Sequence, residues 1–588
     1  HNFLANRNPK QTNRLTHHAH HSSDHCPVSL RFTSTAPTKK RKFAIPRWLP
    51  MDEDFRAACL KELKARDTES GPFEQLAQYK RAICSTARAL LRNPSHARQS
   101  SSLAKITTAV AFLRLLTKPN PCHKSIETFT NKHPSLAHLH TPLDLTYTYN
   151  SISNYIHKQL DGAQPAGERE DQTDHVQPQA RPLYSPTRHT SHSEHIIDRI
   201  KTLLPSTRKK LAVLSPASAD GEGADTTDDP VKMADIIKNF WSKIWRRDKS
   251  APRLRSIISH LSYYNKTIPD HLTPIIPNQD QVEECILKSG NSSPGPDGVP
   301  FSAHRLLHDY AAPIFHNVIG SLASGAEPPP EFNTGRLVLI PKSDSPTIDR
   351  TRPITMNNTD NRIIAKLITN IITPAIDQIV SASQKGFIPG RRGSDHIRTL
   401  NHQFYTAKMQ RTQHYILFLD TAKAFDSIHH DFIHAILTVI GAPSWLLNVI
   451  LALLHHVTVT PALREHVECF INIERGVKQG CPLSPILFAL CYDPLLVLLD
   501  SNNDLTNCAF ADDLAVSSPA LSHIISIMPI IDTFRRFSGL GVNYAKTHII
   551  TTRKPSSSDR KALKEAPGQW SQVEFSGAEM YLGVLMGS

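Results

Sequence analysis

No run of roughly eighteen consecutive apolar residues occurs in the 588-residue chain, so nothing in it reads as a helix able to cross a bilayer. The most lipid-like stretch, Trp445 to Leu454, is too short and is interrupted by Asn448. There is no Cys-x-x-Cys pair. The nine cysteines, at 26, 59, 84, 122, 285, 469, 481, 491 and 508, are scattered, which argues against a disulfide framework or a zinc finger and for a reducing compartment. No apolar signal segment follows His1, so secretion is not expected, and a first residue other than Met suggests a fragment of a longer product. Glycine is scarce beside proline, 23 against 43, which warns of extended, poorly packed stretches. No internal repeat is evident.

What is present is enough for a large core. Apolar residues at 39% with 20% charged side chains exclude a wholly disordered chain, and the length predicts several folded units. The net charge of +14 is uneven: residues 1–50 hold nine Lys/Arg against Asp24 alone and supply +8 of it, so the basic balance says little about the folded block. Lys39-Lys40-Arg41-Lys42 reads as a nuclear address, a phosphate-contacting patch or a solvated linker. From Met51 to about Leu160 apolar residues recur at helical spacing, as in Leu103, Ile106, Val110, Leu113 and Leu116. Residues 161–195, rich in Gln, Pro, Asp, His and Ser, and Ser215–Pro230, with five acids and no base, read as linkers. A helical segment with Phe240, Trp241, Ile244 and Trp245 then opens the better-ordered half.

Two acidic clusters carry the chemistry. Tyr415-Ile416-Leu417-Phe418-Leu419 is an apolar run of strand length that ends at Asp420, and an acid there is held by rigid backbone while facing the sheet's rim. Cys508 to Val516 places Asp512 and Asp513 between two short apolar runs, which predicts a β-hairpin with both carboxylates at its tip. Adjacent anions repel and resist desolvation, so the pair calls for positive charge. If the two strands are neighbours, Asp420 and Asp512 meet in an oxygen-rich site suited to Mg²⁺, which takes one or two carboxylates, waters and substrate phosphates. Two such ions support in-line phosphoryl displacement, and nucleotidyl transfer is the reaction class that fits.

The wider order of motifs resembles a known family. Leu339-Ile340-Pro341-Lys342, Thr351-Arg352-Pro353-Ile354, Gln384-Lys385-Gly386-Phe387, Asp420 through Asp426, Gly476 through Pro485, Phe510 through Asp513, Asn543 through Thr547 and Tyr581-Leu582-Gly583 are similar to the reverse transcriptase of non-LTR (LINE-type) retrotransposons. The resemblance implies an α+β right-hand polymerase, palm and fingers, preceded by a largely helical and partly disordered N-terminal half. It implies two Mg²⁺ ions, replaceable by Mn²⁺, on Asp420, Asp512 and Asp513. It places Phe425 beneath the incoming sugar, where the ring would collide with a ribose 2′-hydroxyl. Gln479 and Gly480 would support the incoming nucleotide, and Lys342 and Arg352 would hold its triphosphate. Arg offers a planar fork and Lys a point charge, although Asp344 is an ordinary local partner for Lys342. Lys546 would donate a proton to pyrophosphate or is a plain surface lysine. Phe510, where many relatives have Tyr, would lie against primer. Gly295 and Asp297 sit in a Gly/Pro turn that either contacts template or primer or is punctuation. Ser484-Pro485 reads as a helix start, with Ser484 as N-cap.

At the front, Ser23-Asp24-His25-Cys26-Pro27-Val28 resembles the last motif of an apurinic-type endonuclease, with His25 assisting cleavage and Asp24 orienting it; the 22 residues before Ser23 cannot hold the rest of such a nuclease. His17, His18, His20 and His21 read as a flexible connector rather than a metal site. The expected division is an endonuclease remnant over 1–35, a basic linker and helical region over 36–160, a disordered linker over 161–230, a helical extension with the start of the fingers over 231–324, and a reverse transcriptase domain over 325–588 without its thumb. Weak primer-template grip follows from that last expectation. The implied partners are an RNA template, a DNA primer or target DNA and dNTPs, acting in the nucleus or otherwise in the cytoplasm, and without a membrane. The alternatives are a group II intron maturase-like enzyme, an RNA-templated RNA polymerase, or a truncated non-catalytic RNA-binding remnant.

Overall fold

The computed structural model describes the strands Gln11–His17 and Val28–Ser34, most of 43–92, isolated positions between 109 and 155, 213–216, and 226–587 apart from 343–346 and 464–466. Asp24, His25, Lys39 through Lys42, Asp344 and the expected linker over 161–195 lie outside the described residues.

The run Tyr415–Leu419 is a strand, buried at all five positions. It lies at the centre of a five-stranded sheet ordered 574–576, 548–551, 415–419, 513–518, 506–510. Its continuous apolar sequence follows from having both faces covered. Alternation sends Tyr415, Leu417 and Leu419 into the main core. Ile416 and Phe418 turn to a smaller core with Leu400, Phe404 and Tyr581. The helix Gly393–Met409 and the terminal hairpin of 578–581 and 584–587 supply that second layer.

A second sheet, ordered 351–357, 334–341, 457–461, 471–473, stands beside the first. Its strands Thr334–Pro341 and Thr351–Asn357 pair antiparallel with Ile340 opposite Arg352. The helix Thr359–Ile379 then carries the chain back toward the central sheet. The helix Pro230–Trp245 packs along this second sheet; Asp229 caps it by accepting from the Val231 and Lys232 amides, with Pro230 at the first turn.

The expected helix start at Ser484 needs one correction. The helix runs Ser484–Asp500 with Leu483 at the N-cap and no side-chain cap, so Ser484 already belongs to the first turn. The lipid-like stretch is the eleven-residue helix Ser444–Leu454, and Asn448 donates to the Ala323 carbonyl at 2.9 Å. Among the described residues no helix is long and apolar enough to cross a membrane, and the seven described cysteines are all free.

Candidate active site

Antiparallel pairing of 513–518 with 415–419 sets Leu514 opposite Leu419 and so brings the end of the central strand against the hairpin tip. The hairpin pairs Asp513 with Phe510, leaving Ala511 and Asp512 as its turn. The Thr421 hydroxyl donates to the Asp512 carbonyl at 3.3 Å, tying the two segments just beyond the strands. On the other flank the Asn543 amide donates to the Asp420 carbonyl at 2.8 Å, and the Asp420 amide donates to the Thr547 hydroxyl at 3.3 Å. Asp420, Asp512 and Asp513 therefore share one end of the sheet.

Their electrostatics agree with that placement. Partial burial, then repulsion from Asp420, raises the Asp512 carboxyl, with Lys342 and Arg352 pulling the other way. Partial desolvation, then the charges of Asp512 and Asp420, pushes the solvent-exposed Asp513 up to about 6. Lys342 and Arg352 are both exposed; Arg352 lies on the strand Thr351–Asn357, Lys342 directly follows the paired strand Thr334–Pro341, and the charges of both act on the Asp512 carboxyl.

Phe425 lies on the short helix Ala424–Ser427, entered through Lys423 at a left-handed φ of 48°. Its ring stacks on Phe488 at 4.5 Å and 8°, and Phe387 meets it edge-on at 5.7 Å. The loop from Gly476 docks on the same helix, with the Val477 amide donating to the Phe425 carbonyl at 2.7 Å. Gln479 is fixed at both ends: its carbonyl accepts from the Thr355 amide at 2.8 Å, and its carboxamide donates to Asp426 at 2.9 Å. Asp426 also accepts from the Trp245 indole at 3.1 Å, and burial lifts its carboxyl to about 6. Gly480, at φ 108°, closely approaches the Thr355 carbonyl, where an added Cβ would stand 2.7 Å from the oxygen. That contact with the neighbouring strand is what the position requires of glycine here.

Residues 340–580 match the family model described as reverse transcriptase (RNA-dependent DNA polymerase). The chain carries a reverse transcriptase domain. It is similar to the "Transposon TX1 uncharacterized 149 kDa protein" of Xenopus laevis, 23% identical over 55% of this chain and 26% of that protein. It is also similar to the "Retrovirus-related Pol polyprotein from type-2 retrotransposable element R2DM" of Drosophila melanogaster, 26% identical over 60% and 30%. A third relative is the "Probable RNA-directed DNA polymerase from transposon X-element" of the same fly, 25% identical over 53% and 35%. The alignments thus span about a quarter to a third of these relatives' length. The resemblance to non-LTR retrotransposon polymerases is borne out.

N-terminal to this reverse transcriptase domain, two expected nucleic-acid contacts turn inward. Gly295 is buried against 357–358, where an added Cβ would stand 2.5 Å from the Asn358 amide nitrogen. The Asp297 carboxylate lies 2.9 Å from the Lys80 ammonium and accepts from the Val299 amide at 3.1 Å. Lys80 also reaches the fully buried Asp360 at 2.7 Å. The turn therefore joins the helix Pro72–Arg92 to the start of the helix Thr359–Ile379, which gives Gly295 and Asp297 a structural role. Lys546 is exposed on the turn Tyr544–Lys546. Phe510 is half-buried, and a Cβ on Gly393 would come within 3.0 Å of its ring.

Sequence reasoning missed two residues. Lys423 donates to the Asp349 carbonyl at 2.9 Å and lies 5.0 Å from the Trp241 ring; burial, then Lys342, lowers its ammonium. Its place three residues after Asp420 was an available signal. Gln384, wholly buried, binds the backbone of Ala511.

Proposed function

We propose that this domain extends a primer 3′-hydroxyl with dNTPs on an RNA template by two-metal nucleotidyl transfer, as the polymerase of a LINE-type element. The observation that carries this reading is the convergence of Asp420, Asp512 and Asp513, with the charges of Lys342 and Arg352 acting on Asp512. The residues fit Mg²⁺: raised carboxyls in mutual repulsion gain from a dication. Among the described residues no group of three or more His, Cys, Asp or Glu is placed to hold a metal ion, so an ion here would take one or two of these carboxylates and draw its other ligands from water and substrate phosphates. When bound, the metals would supply activation of the attacking hydroxyl and stabilisation of the leaving pyrophosphate.

The chain's own residues do the rest. Asp420 and Asp512 present oxygens from adjoining backbone segments, and Asp513 adds charge beside them. Arg352 and Lys342 hold the triphosphate electrostatically. Phe425, braced by Phe488, bounds the sugar's position and excludes a 2′-hydroxyl by contact. Gln479 and Gly480 act through loop shape, since the Gln479 carboxamide is already engaged by Asp426. Lys546, exposed on its turn, would give a proton to pyrophosphate. DNA primer, RNA template and a nuclear site of action, through Lys39 to Lys42, belong to the same reading. The test is Mg²⁺-dependent dNTP addition to a DNA primer on an RNA template, comparing the parent with Asp512→Asn. Loss of incorporation is expected in the variant; equal incorporation by both proteins overturns the site.

A further inference from the structure

The turn that carries Asp512 has at its first position a residue ill suited to it. Two-residue hairpin turns favour Asn or Gly where φ is positive, yet Ala511 stands at φ 56° and an aspartate follows it. Left to itself, such a tip would relax and move the carboxylate. The structure holds it from outside.

The brace is Gln384, which is 0% exposed. Its Oε1 accepts from the Ala511 amide at 2.8 Å and from the Gly386 amide at 2.8 Å, while its Nε2 donates to the Ala511 carbonyl at 3.1 Å. Two N–H donors on one side and a carbonyl on the other admit a single orientation of the carboxamide. Both polar groups of Ala511 are thereby bound by one side chain, 127 residues away in sequence.

The bracing segment is itself anchored. The Ala509 amide donates to the Ser383 carbonyl and the Lys385 amide to the Ala509 carbonyl, each at 2.8 Å, so the segment runs as an added strand on the hairpin's edge. The Arg391 guanidinium donates to the carbonyls of Ser381 at 2.6 Å and Gln384 at 2.9 Å. Gly386 lies so close to the tip that an added Cβ would stand 2.1 Å from the Ala511 nitrogen.

We propose that Gln384 is a positioning residue for Asp512, its buried carboxamide locking Ala511 in the left-handed conformation that aims the following carboxylate at Asp420. The proposal rests on the reading of Asp420 and Asp512 as the reacting carboxylates. Gln384→Leu removes all three bonds without adding charge. Gln384→Glu keeps the shape but can donate to the Ala511 carbonyl only when protonated.

Three measurements on the full chain decide it. Primer extension by Gln384→Leu should lose roughly 10²-fold in kcat, the scale of a misplaced reacting group, with the dNTP KM within about threefold. The ratio of kcat for Gln384→Glu to that of the parent should fall as pH rises and the introduced carboxyl ionises. Hydrogen exchange at the Ala511 amide, followed without metal or substrate, should speed up at least about tenfold in Gln384→Leu. Parent-like kcat in both variants, with Asp512→Asn inactive, overturns the brace alone. Activity in Asp512→Asn overturns the underlying site. Should Gln384→Leu not fold, the Gln384→Glu ratio decides, and a ratio flat with pH rejects the proposal.

Discussion

Asp513 meets the cost of the acidic cluster most directly. Its carboxyl, pushed up to about 6, lies above the ordinary range near 4, so the folded form holds its proton more tightly than the unfolded chain. The stability linked to that proton is complete below pH 4 and disappears as pH rises through 6. Without metal, Asp513→Asn should therefore melt about 1–2 °C above the parent at pH 7.5, with the gain shrinking on acidification and vanishing near pH 3.5. Scanning calorimetry at both pH values checks this; no gain at either would contradict the electrostatic account. At Phe425 the expected change is in selectivity. Phe425→Ala should weaken discrimination against ribonucleotides about tenfold or more, or about 1.4 kcal/mol, read from paired dNTP and rNTP incorporation. The acids and Phe425 were legible because each follows a pattern local to its own element. Asp297 and Gln384 were not, because Lys80 and Ala511, which define their roles, are remote in sequence.

At the scale of elements, the central strand and hairpin were readable for the same local reason: five apolar residues ending in an acid, then apolar runs around a pair of acids. Less legible was the tie between the helix Pro230–Trp245 and the catalytic loop. Trp245 and Gln479 both donate to Asp426, so one buried carboxylate joins three segments. Trp245→Phe keeps an aromatic ring but removes the indole N–H and part of a buried side chain, leaving a lone pair of a buried acid unmatched and a small void beside Trp241. The expected loss is about 1–3 kcal/mol in urea unfolding, together with a lower kcat from a displaced Gln479 loop. An unchanged urea midpoint would show the indole bond to be dispensable. The Ser484 misreading belongs to this scale too: Ser-Pro marks a helix start, but the sequence alone does not reveal that the cap falls one residue earlier.

Over the whole molecule, the family match begins at residue 340, but the main core does not. It includes Phe55, Tyr79 and Ile83 from the helices Glu53–Lys64 and Pro72–Arg92, packed with Phe315 and Ile363 of the fingers. The Lys80 site fastens this join. Burial works against its charge, yet Asp360 and Asp297 hold the ammonium above its ordinary range. Burial also opposes the Asp360 charge, but Lys80 keeps that carboxyl low. Lys80→Met should cost about 3–5 kcal/mol in urea unfolding by stranding two acids, whereas Lys80→Arg should retain most of the stability. The sequence led only to a general expectation of helix across 51–160, and the periodic positions from Leu103 to Leu116 lie outside the described residues; the fold shows which partners the helices Glu53–Lys64 and Pro72–Arg92 need.

Lys80 and Asp360 are 280 residues apart. On a ribosome adding roughly 5–20 residues per second, that separation means about 14–56 s between the appearance of the lysine and that of its acid. For most of that interval, until residues 308–323 are made, the two early helices are tethered outside the exit tunnel with the apolar faces that pack on Phe315 uncovered. Chaperone engagement of the nascent chain should therefore concentrate in this window and end soon after the fingers emerge.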